Sequence, residues 1–207
     1  MAVYHGPRCK LCRREGVKLI LRGDRCASEK CAMERRPFPP GQRTTKRRRT
    51  STEYNTQLRE KQKIRRIYGV LERQFERYFA MAAKAPGVTG ERLLQILELR
   101  IDNVVYRLGF APSRQAAREL VTHNHFLVSG KKVNIPTCQL KAGDVVQVRE
   151  SSKTIETIHS ALKNARDIPD WLSVDKVKLE GTVIRVPDRA SIPVNVQEQL
   201  VVELYSR

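Results

Sequence analysis

ERLLQILELRIDNVVYRLGFAPSRQAARELVTHNHFLVSGKKV, residues 91–133, is the stretch on which the fold of this chain turns. Leu93, Leu94, Leu97, Ile101, Val104, Val105 and Leu108 recur at helical spacing. That pattern predicts one regular helix over 91–108, with Gly109 placed to end it. Ser113 is suited to cap a second helix, Arg114 to His123, with Ala116, Ala117, Leu120 and Val121 facing inward. Arg114 and Arg118 stand four apart and are expected on one outward face. Asn124 suits a left-handed C-cap, because its short polar side chain tolerates positive φ. Phe126-Leu127-Val128, then Ser129-Gly130-Lys131-Lys132, then Val133 read as strand, tight turn and returning strand. Lys141 to Asp144 is another turn, and Val145 to Val148 alternates as a strand. Residues 91–150 are therefore expected to form a compact helix–helix–hairpin–strand unit.

Outward from that unit, residues 53–84 carry Leu58, Ile64, Ile67, Leu71, Phe75, Tyr78 and Phe79 near helical spacing. Gly69 is expected to split them into two helices, and Pro86-Gly87 closes the segment. Lys61, Lys63, Arg65 and Arg66 decorate the first helix. Each reads as a phosphate contact or simply as part of a solvated face. On the other side, residues 151–170 read as a polar helix and Val183 to Val186 as a strand. Asn195-Val196-Gln197-Glu198 fits a capping box ahead of a terminal helix carrying Leu200, Val201 and Leu204. No internal repeat is apparent.

The chain of 207 residues has 40 Lys and Arg against 22 Asp and Glu, a formal net charge of +18. Such an excess repels itself and attracts polyanions, so nucleic acid is the expected partner. No apolar run approaches the ~20 residues of a transmembrane helix. No helix pairs a bulky apolar face with a basic one, and the opening MAVYHGPRCKLC has no apolar signal core. Neither a membrane nor export is expected. The charge is concentrated, with 15 Lys and Arg against 4 Asp and Glu in residues 1–50. RRPFPPG, residues 35–41, reads as an extended connector, because its three prolines remove donors and fix φ. Arg43, Lys46, Arg47, Arg48 and Arg49 follow as a basic arm. The arm reads as a disordered tail or as a segment that orders along phosphates on binding, and the second is preferred.

Cys9, Cys12, Cys26 and Cys31 are spaced C-x2-C-x13-C-x4-C. Two thiolate pairs make a complete tetrahedral ligand set with no open position, which suits a structural metal. Zinc is the expected ion, and an iron–sulfur cluster would use the same four thiolates. The alternatives are four buried reduced thiols and a C-x-x-C redox pair. The redox pair is disfavoured because no strand–helix pattern surrounds Cys9. Cys138 lies alone and reads as a small apolar filler. Arg13, Arg14, Lys18, Arg22, Arg25, Lys30, Arg35 and Arg36 surround the cysteines. A metal-stapled, arginine-rich knob of this kind is suited to phosphates.

Arg107, Arg114, Arg118, His123, His125, Lys131 and Lys132 fall at helix ends and at the hairpin turn. Convergent cations on a rigid helix pair can straddle an RNA backbone and recognise its shape. His123 and His125 have no Cys or acidic cluster beside them, so a backbone or phosphate contact is preferred to metal ligation. Catalysis finds no support. The chain has no G-x-x-x-x-G-K-[ST], no G-x-G-x-x-G and no G-x-S-x-G. No small-molecule substrate is expected.

Several separated motifs carry a family resemblance. They are PRC through CAMERRP at residues 7–37, RRPFPPGQ at 35–42, EKQK at 60–63 and RIYG at 66–69. LRIDNVVYRLGF at 99–110, SRQAAR at 113–118 and QLVVELYSR at 199–207 complete the set. The chain resembles the bacterial-type S-four family of small-subunit ribosomal proteins almost from end to end. The resemblance implies direct, early binding of small-subunit ribosomal RNA at a multi-helix junction, which helps start assembly of the subunit body. It implies a neighbour in ribosomal protein S-five, at a contact tied to decoding accuracy. It also implies a place near the messenger's path into the subunit and, in some members, repression of the chain's own messenger. The central segment is similar to a small RNA-binding module shared with certain pseudouridine synthases and aminoacyl-tRNA synthetases. Many members lack the cysteines, so the metal would be a variant staple.

The expected fold is α+β, a mainly helical first domain with an N-terminal metal-stapled knob and an inserted helix–helix–β RNA-binding module. Residues 1–50 are the knob and arm, 51–90 with 180–207 the helical domain, and 91–179 the module with its following helix. The expected function is a structural, non-enzymatic RNA binder of the small ribosomal subunit, in a bacterial cytoplasm or, alternatively, a chloroplast ribosome. An RNA-modifying enzyme using the same module is the runner-up, but neither flank has the length of an ordinary catalytic domain. A zinc-dependent DNA-binding regulator would need a recognition helix or dimer interface that is not evident.

Overall fold

The computed structural model describes residues 3–41, 52–164 and 168–206. The chain is α+β and forms two compact units, Met1–Gly90 with Asn195–Arg207, and Glu91–Val194. Residues 180–194 thus belong with the second unit, not with the helical domain to which the sequence reading assigned them. Their strand Glu180–Val183 is hydrogen-bonded on both sides within the second unit's sheet. No helix among the described residues is long and apolar enough to cross a membrane.

In the first unit, α1 (Arg8–Glu15) ends at Gly16, where a φ of 74° turns the glycine N–H back to the Cys12 carbonyl. A 3-10 turn at Gly23–Cys26 and the short α2 (Ala32–Arg35) complete the N-terminal lobe. The helix α3 (Glu53–Ile67) starts at Thr52, whose hydroxyl accepts from the Asn55 N–H at 3.3 Å. It stops at Gly69, as expected. With φ at 63°, the Gly69 N–H reaches Arg66 O and the Val70 N–H reaches Arg65 O at 2.9 Å, which satisfies the carbonyls left open by the helix end. The next helix, α4 (Glu72–Lys84), buries Phe75, Tyr78 and Ala82. The C-terminal helix (Glu198–Tyr205) packs along α3 and buries Val201. Its capping box does not form. Gln197, not Asn195, is the capping position and no side chain of the helix's own segment caps it. Glu60 of α3 takes the Gln197 N–H instead, at 3.2 Å, so tertiary packing replaces the local cap.

Next along the chain come α5 (Thr89–Glu98), which lies in the second unit from Glu91 onward, and α6 (Ile101–Arg107). The expected single helix over 91–108 is therefore broken at Leu99–Arg100. Arg100 is extended and bridges to Gln139, while Ile101 N–H donates to Cys138 O and Leu99 O accepts from Leu140 N–H. Pairing with residues 138–140 diverts the helical ladder. The helix α7 (Arg114–Thr122) is capped by the Ser113 hydroxyl at 3.2 Å from Ala116 N. Asn124 takes the left-handed conformation expected of it, with φ at 63°.

The strands β1 (Phe126–Val128) and β2 (Lys131–Lys132) form the expected hairpin. Ser129 and Gly130 both have positive φ, which matches the turn to the twist of its strands. Beyond β3 (Val145–Val148), the polar segment supplies a 3-10 turn at Glu150–Ser152 and α8 (Glu156–Lys163). Next come β4 (Leu172–Asp175) and β5 (Glu180–Val183), so the strand expected at 183–186 lies three residues earlier. The sheet order is β2-β1-β3-β5-β4, all antiparallel. Its buried face packs Phe126, Val146, Val148 and Val183 against Ile101, Val105, Leu108 and Val121. Gly181 allows the close approach, since a Cβ there would meet Leu108 at 2.4 Å.

Candidate nucleic-acid interface

The N-terminal lobe brings Cys9, Cys12, Cys26 and Cys31 around one small cavity, with Arg22, Arg25, Ala32 and Met33 completing its wall. All four are free thiols. The Arg22 N–H points at the Cys26 sulfur at 3.3 Å, and the Leu19 N–H bonds to Cys12. Burial pushes the Cys12 thiol up, the Leu19 N–H opposes this, and the other three cysteines add to the rise. The donor chemistry suits a four-thiolate metal site. Among the described residues, however, no group of three His, Cys, Asp or Glu side chains is arranged to hold an ion as it stands.

The basic residues of this lobe divide by environment. Arg14, Arg35 and Arg36 are exposed, as are Lys10, Arg22, Arg25 and Lys30. Arg13 is turned inward. Its Nε donates to Phe38 O at 2.8 Å and its guanidinium lies 5.0 Å from the Phe38 ring centre, which ties α1 to the proline connector. Arg43, Lys46, Arg47, Arg48 and Arg49 lie outside the described residues.

On α3 the expected contact residues are already engaged. Lys61 and Arg65 both reach Glu72 of α4, and Lys63 reaches Glu60 at 2.5 Å. Arg66 pairs with Glu15, the last residue of α1, and Arg59 stands 3.6 Å from the same carboxylate. The Glu15 side chain is 1 % exposed, and burial raises its carboxyl above the usual range even against Arg66 and Arg59. Lys61 also lies over the ring of Tyr205, whose hydroxyl donates to Glu72 at 3.3 Å. Burial, then Glu72, drives that phenol well above its ordinary range. Arg73 and Arg77 of α4, cations outside the predicted contact set, are exposed and one helical turn apart.

In the second unit the outward ridge expected of Arg107, Arg114 and Arg118 is instead a half-buried network. Arg107 makes a two-pronged contact with Glu98, at 2.6 and 3.0 Å. Arg118 lies 3.4 Å from Asp102, whose carboxylate also accepts from Nε and Nη2 of the fully buried Arg100. Arg114 donates from Nε to Asn103 Oδ1 at 2.7 Å and stacks over Tyr106 at 4.5 Å. The side chains of Arg107 and Arg118 keep only 11 and 14 % of their surface open. Glu98, Asp102 and Asn103 were missed as functional side chains. Their signal was polar residues set among the apolar positions of 93–108, where a buried partner is required. His123, Lys131 and Lys132 are exposed, as a phosphate contact needs. His125 is half-buried, with Nδ1 2.9 Å from Ser152 Oγ. Burial, then the charges of His123 and Arg149, lowers its proton affinity.

Residues 3–98 match the family described as ribosomal protein S4/S9 N-terminal domain, and residues 99–146 match the S4 domain. Small ribosomal subunit protein uS4A of Symbiobacterium thermophilum is 60 % identical to this chain, over the whole of both. Small ribosomal subunit protein uS4 of Citrifermentans bemidjiense is 56 % identical, and that of Thermoanaerobacter pseudethanolicus 53 %, again over the whole of both chains.

Proposed function

The chain belongs to the uS4 family of small ribosomal subunit proteins, and on that premise we propose that it is a structural, non-catalytic constituent of the small subunit that binds the subunit's RNA directly. The observation that carries this reading is similarity unbroken over the full chain to relatives bearing that name. A net charge of +18 on two compact units supports it, because such a surface binds a polyanion without needing a catalytic cleft.

The chain binds small-subunit RNA early, at a multi-helix junction, and starts assembly of the subunit body. It contacts ribosomal protein S-five in a way that bears on translational accuracy, and it lies near messenger RNA on its way into the subunit. It works in the ribosomes of a bacterial cytoplasm. Arg14, Arg35, Arg36, Lys131, Lys132 and His123 meet phosphates directly, with the arm of Arg43 and Lys46 to Arg49. Arg13 shapes the connector. Lys61, Lys63, Arg65, Arg66, Arg107, Arg114, Arg118 and His125 contribute from positions also held by neighbours within the protein.

Zinc bound by Cys9, Cys12, Cys26 and Cys31 is the proposed staple of the N-terminal lobe. Four thiols around one cavity and backbone N–H groups aimed at two of the sulfurs support it. When bound, the ion would draw the four sulfurs together and hold a segment with little core of its own.

Sedimentation tests the function. A tagged chain expressed in bacteria is expected to travel with small subunits in a sucrose gradient and to be absent from isolated large subunits. A chain found only in the unassembled fraction would overturn the reading.

A further inference from the structure

Glu15 closes α1, and more positive charge converges on its carboxylate than that carboxylate can neutralise. Its side chain is 1 % exposed, and Arg66 and Arg59 of α3 both turn to it. The two arginines stand two helical turns apart, with Lys63 between them on the same face. Arg66 pairs directly with Oε1. Arg59 brings Nε to 3.6 Å from Oε2, beyond hydrogen-bonding reach. That buried Nε has no hydrogen-bond partner among the described residues, and the Arg59 side chain keeps 28 % of its surface open against 19 % for Arg66. Arg14, the residue before Glu15, is exposed, and its charge also acts on the carboxylate. Lys63 acts there too but has its own acid in Glu60, at 2.5 Å.

Like charges held this close repel one another, and the repulsion is felt at Arg66. Burial lowers that residue's proton affinity, Glu15 opposes the fall, and Arg59, Arg65 and Arg14 add to it. A second anion would relieve the crowding. Arg59 is placed to receive one, because Arg66 already holds Glu15 and Arg59 is the more open of the two. A guanidinium carries donors on more than one edge, so facing Glu15 with Nε leaves others for a phosphate oxygen. We infer that Arg59 is a phosphate-binding residue of the RNA interface, seated by Glu15 at the junction of α1 and α3. This rests on the RNA-binding reading of the chain and adds a contact to it. The alternative is that Arg59 only shares in neutralising Glu15 and braces α1 on α3.

Arg59→Gln in the full chain separates the two, because Arg66 still holds Glu15. Binding to small-subunit ribosomal RNA is expected to weaken roughly three- to tenfold. The slope of log K against log salt should flatten by about one phosphate, ~0.7–0.9, with the melting temperature unmoved. Ethylation interference then locates the contact. One ethylated phosphate that hinders the parent chain should cease to hinder Arg59→Gln, while the other hindering positions act on both chains alike. A brace predicts instead a lowered melting temperature with the parental slope and interference pattern. Those results overturn the inference, as does parental affinity for Arg59→Gln. If Arg59→Gln lowers the melting temperature and also flattens the slope, Arg59→Lys carries the test. It keeps the charge and loses the planar fork, so it should restore the slope but not the full affinity. A slope that stays flat in Arg59→Lys would trace the loss to folding and overturn the inference. An unaltered chain that shows no preference for small-subunit RNA over transfer RNA would instead bring down the RNA-binding reading itself.

Discussion

Glu15 shows why basic residues cannot be sorted by sequence alone. Sequence places Arg66 on the decorated face of α3, but the carboxylate that occupies it sits 51 residues away, at the end of α1. The Glu15 carboxyl is raised by burial, so its folded value lies above its unfolded one. Its linkage therefore favours folding at low pH, and that contribution fades as pH climbs through the raised value. At neutral pH the pair holds a desolvated charge whose cost the attraction only partly offsets. Glu15→Leu alone is expected to cost roughly 3 kcal/mol, by stranding Arg66 and Arg59. Glu15→Leu with Arg66→Met should cost under ~1.5 kcal/mol. Urea unfolding of both variants checks this, and equal losses would contradict it. The residues whose conformation is set locally were legible. Asn124, Ser129 and Gly130 take positive φ where turn chemistry asks for it. Arg114 and Arg118 were not, because spacing along α7 cannot show that Asn103 and Asp102 face it.

Among elements, the hairpin β1–β2, the cap at Ser113 and the stop at Gly69 all follow from side chains within a few residues of the event. The break between α5 and α6 follows from residues 138–140, and a periodic apolar face carries no trace of it. The terminal helix repeats the lesson, since Glu60 of α3 displaced the expected local cap. The N-terminal lobe has little packing of its own, and the proposed zinc staple is tested there. Its buried residues are few, chiefly Cys12, Leu19, Gly23 and Cys31. Elemental analysis of the purified chain should find one zinc, and cobalt exchange should give the visible bands of a four-thiolate site. Chelation should raise thiol reactivity and proteolysis at the lobe while the second unit's melting is unmoved. An iron content with sulfide, or a folded lobe that takes no metal, would contradict the zinc staple.

At the scale of the whole molecule, the chain's ends build one unit and its middle builds another. The family resemblance implies that the C-terminus returns to the first unit, but the boundary expected at residue 179 falls short of the middle unit's end. That end lies past β5, because the strand pairing that retains residues 180–183 is a tertiary fact. The first unit is closed by its last segment. Val201 fills its core, Glu203 accepts from the buried Gln57, and Tyr205 stacks on Phe79 at 4.3 Å while bonding the Glu72 that holds Lys61 and Arg65. A chain ending at Val194 should therefore lose the first unit's cooperative melting and keep the second's. Both forms enter one assay. Labelled small-subunit ribosomal RNA is bound at physiological salt and challenged with excess transfer RNA and duplex DNA. The full chain should hold its RNA against both competitors, and the shortened chain should let go. Displacement of the full chain by either competitor would mean that its charge gives only general adhesion to polyanions, and would contradict selective recognition of the subunit's RNA.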